Sequence, residues 1–446
     1  MKKPVRLSLM LCAAAIGVAG IGYAIEGGPA APAHAEVMPG DVAVGYGGAG
    51  MAEAASLADR SVGSMRNRLA AGDAGWLHKE ALALALMDRF GLSGDISDAN
   101  EAAELLDSGL ADAPDGSGPT LTRAALAMSF HDLDTAERML DRFAIAAPRR
   151  TQHDRAVALA LRGDIAMQRG ELGRAQQLYD QAAKMNTALG SGMRVADRAL
   201  WAGEPAEAAR LSGKTLAAQR PEPWHFAKAA LHRANIAYAS GELETAGRWI
   251  AAADDAFPGY WVAQTYAAQQ RAATGAWDEG IADLERIARD SGEPEVMDVL
   301  GGFLAHRGRT PEAARWSEQA RVAWLGKLGE ARDAYRLHAA EHFLDFGDAS
   351  KALELAREEY GMRRSGEVAE VYASALTENG RPQDALKVLA AASKAGWRSV
   401  SLDLAYADAH RALGDDDAAA RWEDRALELS PLALDPRRKL LRFGHY

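Results

Sequence analysis

Residues 226–258, FAKAALHRANIAYASGELETAGRWIAAADDAFP, read as two short helices joined by one tight turn. In the first, Ala230, Ala234 and Ala237 recur at the three- and four-residue steps that stack side chains on one helical face, with Leu231 and Tyr238 beside them. Gly241 ends that helix, because glycine enters the left-handed conformation of a helix C-terminus without a Cβ penalty. The second helix runs through Ala246, Ile250 and Ala253 and stops at Pro258. Small residues at 234 and 246 allow the two backbones to approach closely. The pair covers its own seam but leaves a second apolar face, which only another such pair can cover.

Further pairs are present. The turn glycines Gly170, Gly203, Gly241, Gly275, Gly308, Gly347, Gly380 and Gly414 follow one another at steps of 33, 38, 34, 33, 39, 33 and 34. Five residues after each stands a small residue, from Ala175 and Ala208 through Gly280 to Ala419. Upstream the frame continues through His131, Ala136 and Pro148, and through Ser97, Ala102 and Pro114, which gives about ten units over roughly residues 83 to 431.

The pattern resembles the tetratricopeptide repeat, a helix-turn-helix unit of about 34 residues. Gly163, Gly170, Ala175, Tyr179 and Ala182 fill the family's positions in one unit, and Ala234, Gly241, Ala246, Ala253 and Pro258 in another. Ala407, Gly414, Ala419, Ala426 and Pro431 do so in the last. The resemblance implies an all-α, right-handed α-solenoid over residues 75–431. It specifies function weakly, because such arrays present binding surfaces to unrelated ligands.

The ends read differently. Lys2, Lys3 and Arg6 precede an apolar run from Leu7 to Ile25 and a small-x-small site at Ala33-His34-Ala35, the pattern of an export signal cleaved after Ala35. The run is also nearly long enough for an uncleaved inner-membrane anchor. Cys12, the single cysteine, follows Leu11 rather than a small residue, so lipidation is not expected. The expected location is periplasmic or secreted, or anchored in the inner membrane facing the periplasm. Residues 36–74 read as a flexible glycine-rich spacer followed by a capping helix, and 432–446 as a short, solvated basic tail containing Arg437-Arg438-Lys439-Leu440-Leu441-Arg442.

The whole chain has a net charge of −11; the first 35 residues carry +2, so a cleaved chain carries −13 and no cysteine. That balance is unsuited to neutralising nucleic-acid phosphates and excludes disulfides and thiolate zinc sites from the cleaved chain. Gly45-Tyr46-Gly47-Gly48-Ala49-Gly50 matches a dinucleotide-binding pattern but lacks the second strand and the acid that such a site needs, so it reads as spacer. His338-Ala339-Ala340-Glu341-His342 matches the H-x-x-E-H zinc motif, yet the repeat frame already explains this stretch as a first helix. No catalytic residue, resident metal or cofactor is expected.

In the resembled family the first helices line a concave groove. Carried onto this sequence, that implies Asp164, Met167, Asp197, Trp201, Lys228, Asn235, Tyr238, Gln269 and Glu341 as ligand-groove candidates. The later first helices add Glu295, Asp298, Asp345, Glu367 and Glu370, so that half is predominantly acidic. Asn235 and Tyr238 suit the backbone and side chains of an extended segment. The lysines with which some members clamp a C-terminal carboxylate are replaced here by Leu231, Glu295 and Val299, so no such clamp is expected. The long steps place insertions near 147–154, 219–225 and 324–333, and Trp224 is expected to sit between units or at a partner contact.

The expected function is an exported protein- or peptide-binding scaffold, without catalytic activity, that assists assembly of an envelope complex. Two alternatives are a zinc-dependent hydrolase using His338, Glu341 and His342, and a structural adaptor in a polysaccharide export or secretion apparatus. Oligomeric state is not legible.

Overall fold

The structure, a computed structural model, describes residues 36–442 apart from 73–74, 147–150 and 186–188. The expected leader 1–35, with Cys12 and the Ala33–Ala35 site, lies outside the described residues, as do Pro148 and Thr187.

Among the described residues, one helix, α1 (Met51–Ala70), precedes ten helix pairs. They are α2 (Trp76–Ser93) with α3 (Ile96–Asp112), α4 (Thr120–Ser129) with α5 (Leu133–Ala144), and α6 (Gln152–Gln168) with α7 (Leu172–Met185). Next come α8 (Leu189–Trp201) with α9 (Pro205–Ala217), α10 (Pro223–Ala239) with α11 (Leu243–Ala256), and α12 (Trp261–Ala273) with α13 (Trp277–Ser291). The last four are α14 (Pro294–His306) with α15 (Thr310–Glu330), α16 (Arg332–Phe346) with α17 (Ala349–Met362), α18 (Gly366–Glu378) with α19 (Pro382–Lys394), and α20 (Val400–Ala412) with α21 (Asp416–Leu429). Each pair packs on the next, and first helices also touch the first helices of neighbouring pairs. The chain is an all-α helical-repeat solenoid, and among the described residues no strand forms beyond one isolated bridge between Ala202 and Arg398.

Seams close because small residues face each other. Ala234 and Ala246 are both fully buried. A Cβ on Gly163 would lie 2.3 Å from Cε1 of Tyr179, so that seam needs a glycine. The first unit corrects the expected frame: Gly94, with φ of 66°, makes its turn, while Ser97 already lies inside α3 behind an Asp95 cap. In the second unit His131 holds the left-handed conformation at φ 56°, where a non-glycine residue costs about 1–2 kcal/mol.

The array winds back onto itself. The Arg364 amide, just before α18, donates to the Gln168 carbonyl at 2.7 Å, and the Trp397 indole donates to the Gly170 carbonyl at 3.1 Å. One pair further along, the Arg398 amide donates to the Trp201 carbonyl at 2.9 Å. A Cβ on Gly170 would lie 2.4 Å from the Arg364 carbonyl oxygen, and one on Gly241 2.8 Å from the Ser430 hydroxyl. The turns of pairs three to five thus support the array five to six pairs later. At the turn glycines 275, 308, 347, 380 and 414 an added Cβ would meet no described atom within 4 Å, because no later turn of the superhelix covers them.

The segment before α1 is not a free spacer. The Gly45 amide donates to the Pro221 carbonyl at 2.8 Å, the Met51 amide donates to the Pro258 carbonyl at 2.9 Å, and Val42 is buried. A Cβ on Gly45 would lie 2.6 Å from the Arg220 carbonyl oxygen, and one on Gly50 2.9 Å from that of Pro258. These glycines permit backbone-to-backbone contact, which accounts for the glycine pattern without a nucleotide. The 219–225 insertion receives this strap, and Trp224 lies against Gly91 of α2, so it packs between the first and fifth units. The 324–333 insertion lengthens α15 to 21 residues. Helix α1 packs on α2 through buried Ala58 and Val62 and caps the first unit. Among the described residues no helix is long and apolar enough to cross a membrane.

Candidate functional site: an acidic inner face

First helices form the inner wall, and because the superhelix closes, many residues on it are interior. Gln269 and Thr265 of α12, Asp298 of α14 and Leu337 of α16 are all buried. Carboxylates follow one another along this wall. Asp197 of α8 has its pKa raised to about 7 by burial, then by the Glu367 and Asp164 carboxylates. Glu370 of α18 is raised to about 8, first by burial and then by Glu341 and Glu367, against the opposing pull of Arg438. His338 of α16 answers them. Burial pulls its pKa down, but the hydrogen bond to Glu341 and the charges of Glu295, Glu341 and Glu367 lift it to about 9.

The described part of the basic tail, through Arg442, is only partly solvated. It turns back along this wall. The Arg442 amide donates to Gln269 Oε1 at 2.8 Å, and its guanidinium pairs with Asp345 and lies 4.0 Å from Asp298. Arg437 donates to the Ala273 carbonyl at 2.8 Å. Leu440 Cδ2 comes within 3.7 Å of the Cβ position on Gly302, while Arg438 donates to the Ser401 hydroxyl and faces Glu370. Residues 436–442 therefore cross the first helices of pairs six to ten, α12 through α20.

The nine groove candidates separate into three groups. Gln269 and Glu341 line the wall beside the tail: Gln269 holds Arg442, and Glu341 Oε2 lies 3.5 Å from His338 Nδ1. Asp164, Met167, Asp197 and Trp201 are instead taken up by the turn-to-turn junction and its surroundings. Asp164 is bound by Arg194 at 2.7 Å and by the Tyr179 hydroxyl at 2.8 Å. Met167 belongs to the hydrophobic cluster shared with α18 to α20, and Trp201 meets Trp397 edge-on at 5.6 Å. Asp197 is coupled to Glu367 across that junction. The remaining three lie elsewhere on α10. Lys228 sits 4.8 Å over the Trp224 ring, and the Tyr238 hydroxyl donates to Gln270, whose amide donates to the Leu243 carbonyl at 2.8 Å. Tyr238 is thus a seam residue rather than an open groove residue. Asn235 Oδ1 is buried without a hydrogen-bond partner among the described residues.

The H-x-x-E-H histidines serve different carboxylates. His342 Nδ1 lies 2.7 Å from Asp298 Oδ1, in a site closed by Phe343 and Phe346, while His338 stacks on Trp324. Among the described residues no three His, Cys, Asp or Glu side chains are grouped to hold a metal ion.

A pH dependence follows from the raised groups. A carboxyl whose folded pKa is raised stabilises the fold fully below its unfolded value and loses that contribution as pH rises through the folded one. For Glu370 the window runs from 4.5 to about 8 and for Asp197 from 3.8 to about 7. His338 acts in the same direction, from 6.5 to about 9. Burial lowers His131, His225 and His232 below 6.5, so these oppose the fall up to that pH, and Lys228, lowered to about 8, opposes it above; the denaturation midpoint should therefore fall between about pH 6.5 and about pH 8. Glu370→Gln should flatten the part below 8, and an unchanged slope in that variant would contradict the assignment.

No protein-family model matches the sequence, and no curated protein matches it. Solved structures similar to the chain include yeast Tom70, at 14% identity over 86% of this chain and 92% of that one, with a TM-score of 0.35. Another is the APC/C hetero-tetramer Cut9–Hcn1, at 13% identity over 81% of this chain and 76% of that one, TM-score 0.37. A third is the TPR domain of P58(IPK), at 14% identity over 87% and 95%, TM-score 0.29. The tetratricopeptide-like character of this array rests on its own ten pairs, their period and their glycine turns.

Proposed function

We propose that the chain is an exported protein- or peptide-binding scaffold whose acidic inner face takes an extended basic segment of a partner in the bacterial envelope. The export reading rests on the basic start and apolar run of residues 1–35. One observation carries the binding reading. The wall of α12 to α20 holds a run of basic chain, residues 436–442, through a side-chain amide on a backbone N–H and through two carboxylates on Arg442. These are the two chemistries by which a groove holds extended peptide: main-chain hydrogen bonds for affinity and charge pairing for register.

The test begins with crosslinking and affinity capture of the tagged chain from its native envelope. The recovered partner is then purified and its affinity measured for the intact chain and for Asp345→Asn with Glu367→Gln. Loss of the two carboxylates should weaken binding by roughly tenfold or more, and binding to the intact chain should fall with added salt. A partner held equally by both proteins and indifferent to salt would place the binding surface elsewhere.

A further inference from the structure

We infer that residues Pro436–Arg442 are a built-in occupant of the acidic inner face, which a partner's extended segment, with arginines flanking an apolar pair, must displace. This rests on reading that face as a binding surface. The tail shows which chemistry the wall accepts. Arg438 and Arg442 bracket Leu440 and Leu441, and both leucines pack at the edge of the main core while Arg442 pairs with Asp345 and Arg438 donates to the Ser401 hydroxyl and faces Glu370. Arg442 meets Asp345 and Asp298, on α16 and α14, whereas Arg438 faces Glu370 on α18.

The wall also holds a group that residues 436–442 leave unfinished. Gln269 is completely buried; its Oε1 accepts the Arg442 amide, yet its Nε2 donor has no partner among the described residues. A buried amide with one end engaged and one end idle suits an extended strand offering both an N–H and a carbonyl. The tail is a tethered competitor. A short tether supplies its segment at an effective concentration in the millimolar range, so even a weak contact masks the face from a partner in trans. The apparent affinity of a partner is then reduced by the fraction of molecules whose tail is out.

The test uses the full chain and a fluorescent synthetic heptapeptide, PRRKLLR, the chain's own residues 436–442. Binding is measured to the intact protein, to Arg438→Ala/Arg442→Ala, and to each single variant, which keep the comparison available if the double variant does not fold. The double variant should bind the probe about tenfold tighter or more than the intact chain, with the singles between. Adding Asp345→Asn to the double variant should weaken that binding. Equal affinity for intact and double-variant protein overturns the tail as competitor and leaves the face as a binding surface. No binding to the folded variants overturns the binding surface itself, and the competitor with it.

Discussion

Glu359→Gln should destabilise the protein by about 3–5 kcal/mol, the range for removing one partner of a buried ion pair. Glu359 is completely buried between two arginines that are also buried: Arg336 Nε donates to it at 2.7 Å, and Arg363 Nε donates to its other oxygen. Glutamine keeps the shape but turns one acceptor into a donor aimed at an arginine, so the two guanidinium groups lose their shared counter-charge. The consequence is not confined to one pair. Arg363 Nη1 also donates to Gln168 at 2.7 Å and lies 3.2 Å from His131 Nδ1, so it joins the eighth pair to the second and third across the superhelical junction. Glu358→Gln is the matched control. Glu358 is part-exposed and bound by Arg332 at 2.8 Å, and its loss should cost no more than about 1 kcal/mol. Chemical denaturation of both variants distinguishes the two positions. Equal midpoints would contradict the structural role given to the buried network.

Trp324→Ala carries the second large effect, because Trp324 supports both the fold and the inner face. Its side chain is almost fully buried in the long helix α15, stacks on His338 and meets Tyr335 edge-on at 6.3 Å. Truncating a buried tryptophan to alanine costs about 3–5 kcal/mol. Its indole also donates to Asp298 Oδ2 at 2.8 Å, while His342 holds Oδ1. Trp324→Phe fills most of the volume but removes that donor, and should cost about 1–3 kcal/mol. Both variants should loosen the hold on Arg442, since Asp298 loses one of the two groups that orient it. Thermal denaturation gives the stability series, wild type above phenylalanine above alanine, and a phenylalanine variant as unstable as alanine would assign the effect to the hydrogen bond alone.

The repeat was legible because its period is written in glycines that the turns require. The eight turn glycines from Gly170 to Gly414 all adopt positive φ, and eight of the ten pairs follow from them. Where the glycine was missing from the frame, at Ser97, the turn falls three residues earlier at Gly94. Closure of the superhelix was not legible. It depends on the small rotation between successive pairs accumulated over five to six of them, and no single residue encodes that sum. It explains why Asp164, Met167, Asp197 and Trp201, correctly placed on first helices, stand at a junction rather than in open groove. The glycine run at 45–50 reads as a spacer in sequence because glycine serves flexibility and close backbone approach equally well; only the neighbouring Arg220 and Pro258 carbonyls decide between them.

The acidic half of the inner face was legible residue by residue. Its occupant was not, although the clue was charge complementarity between Arg437–Arg442 and the glutamates and aspartates of α14 to α18. Basic tails are ordinarily solvated, and sequence separation hides the contact: Arg442 and Gln269 lie 173 residues apart.

Amide hydrogen exchange of the full-length chain, followed at residues 436–442 with and without a saturating basic peptide, examines the tail, the wall and their exchange together. In the free protein the Arg442 amide should be protected by its bond to Gln269, and addition of the peptide should abolish that protection while leaving the Arg364 and Arg398 amides of the superhelical junction unchanged. A tail that exchanges in the free protein as fast as the isolated heptapeptide, or that stays protected with the peptide fully bound, would contradict an inner face shared in turn by the chain's own tail and a partner.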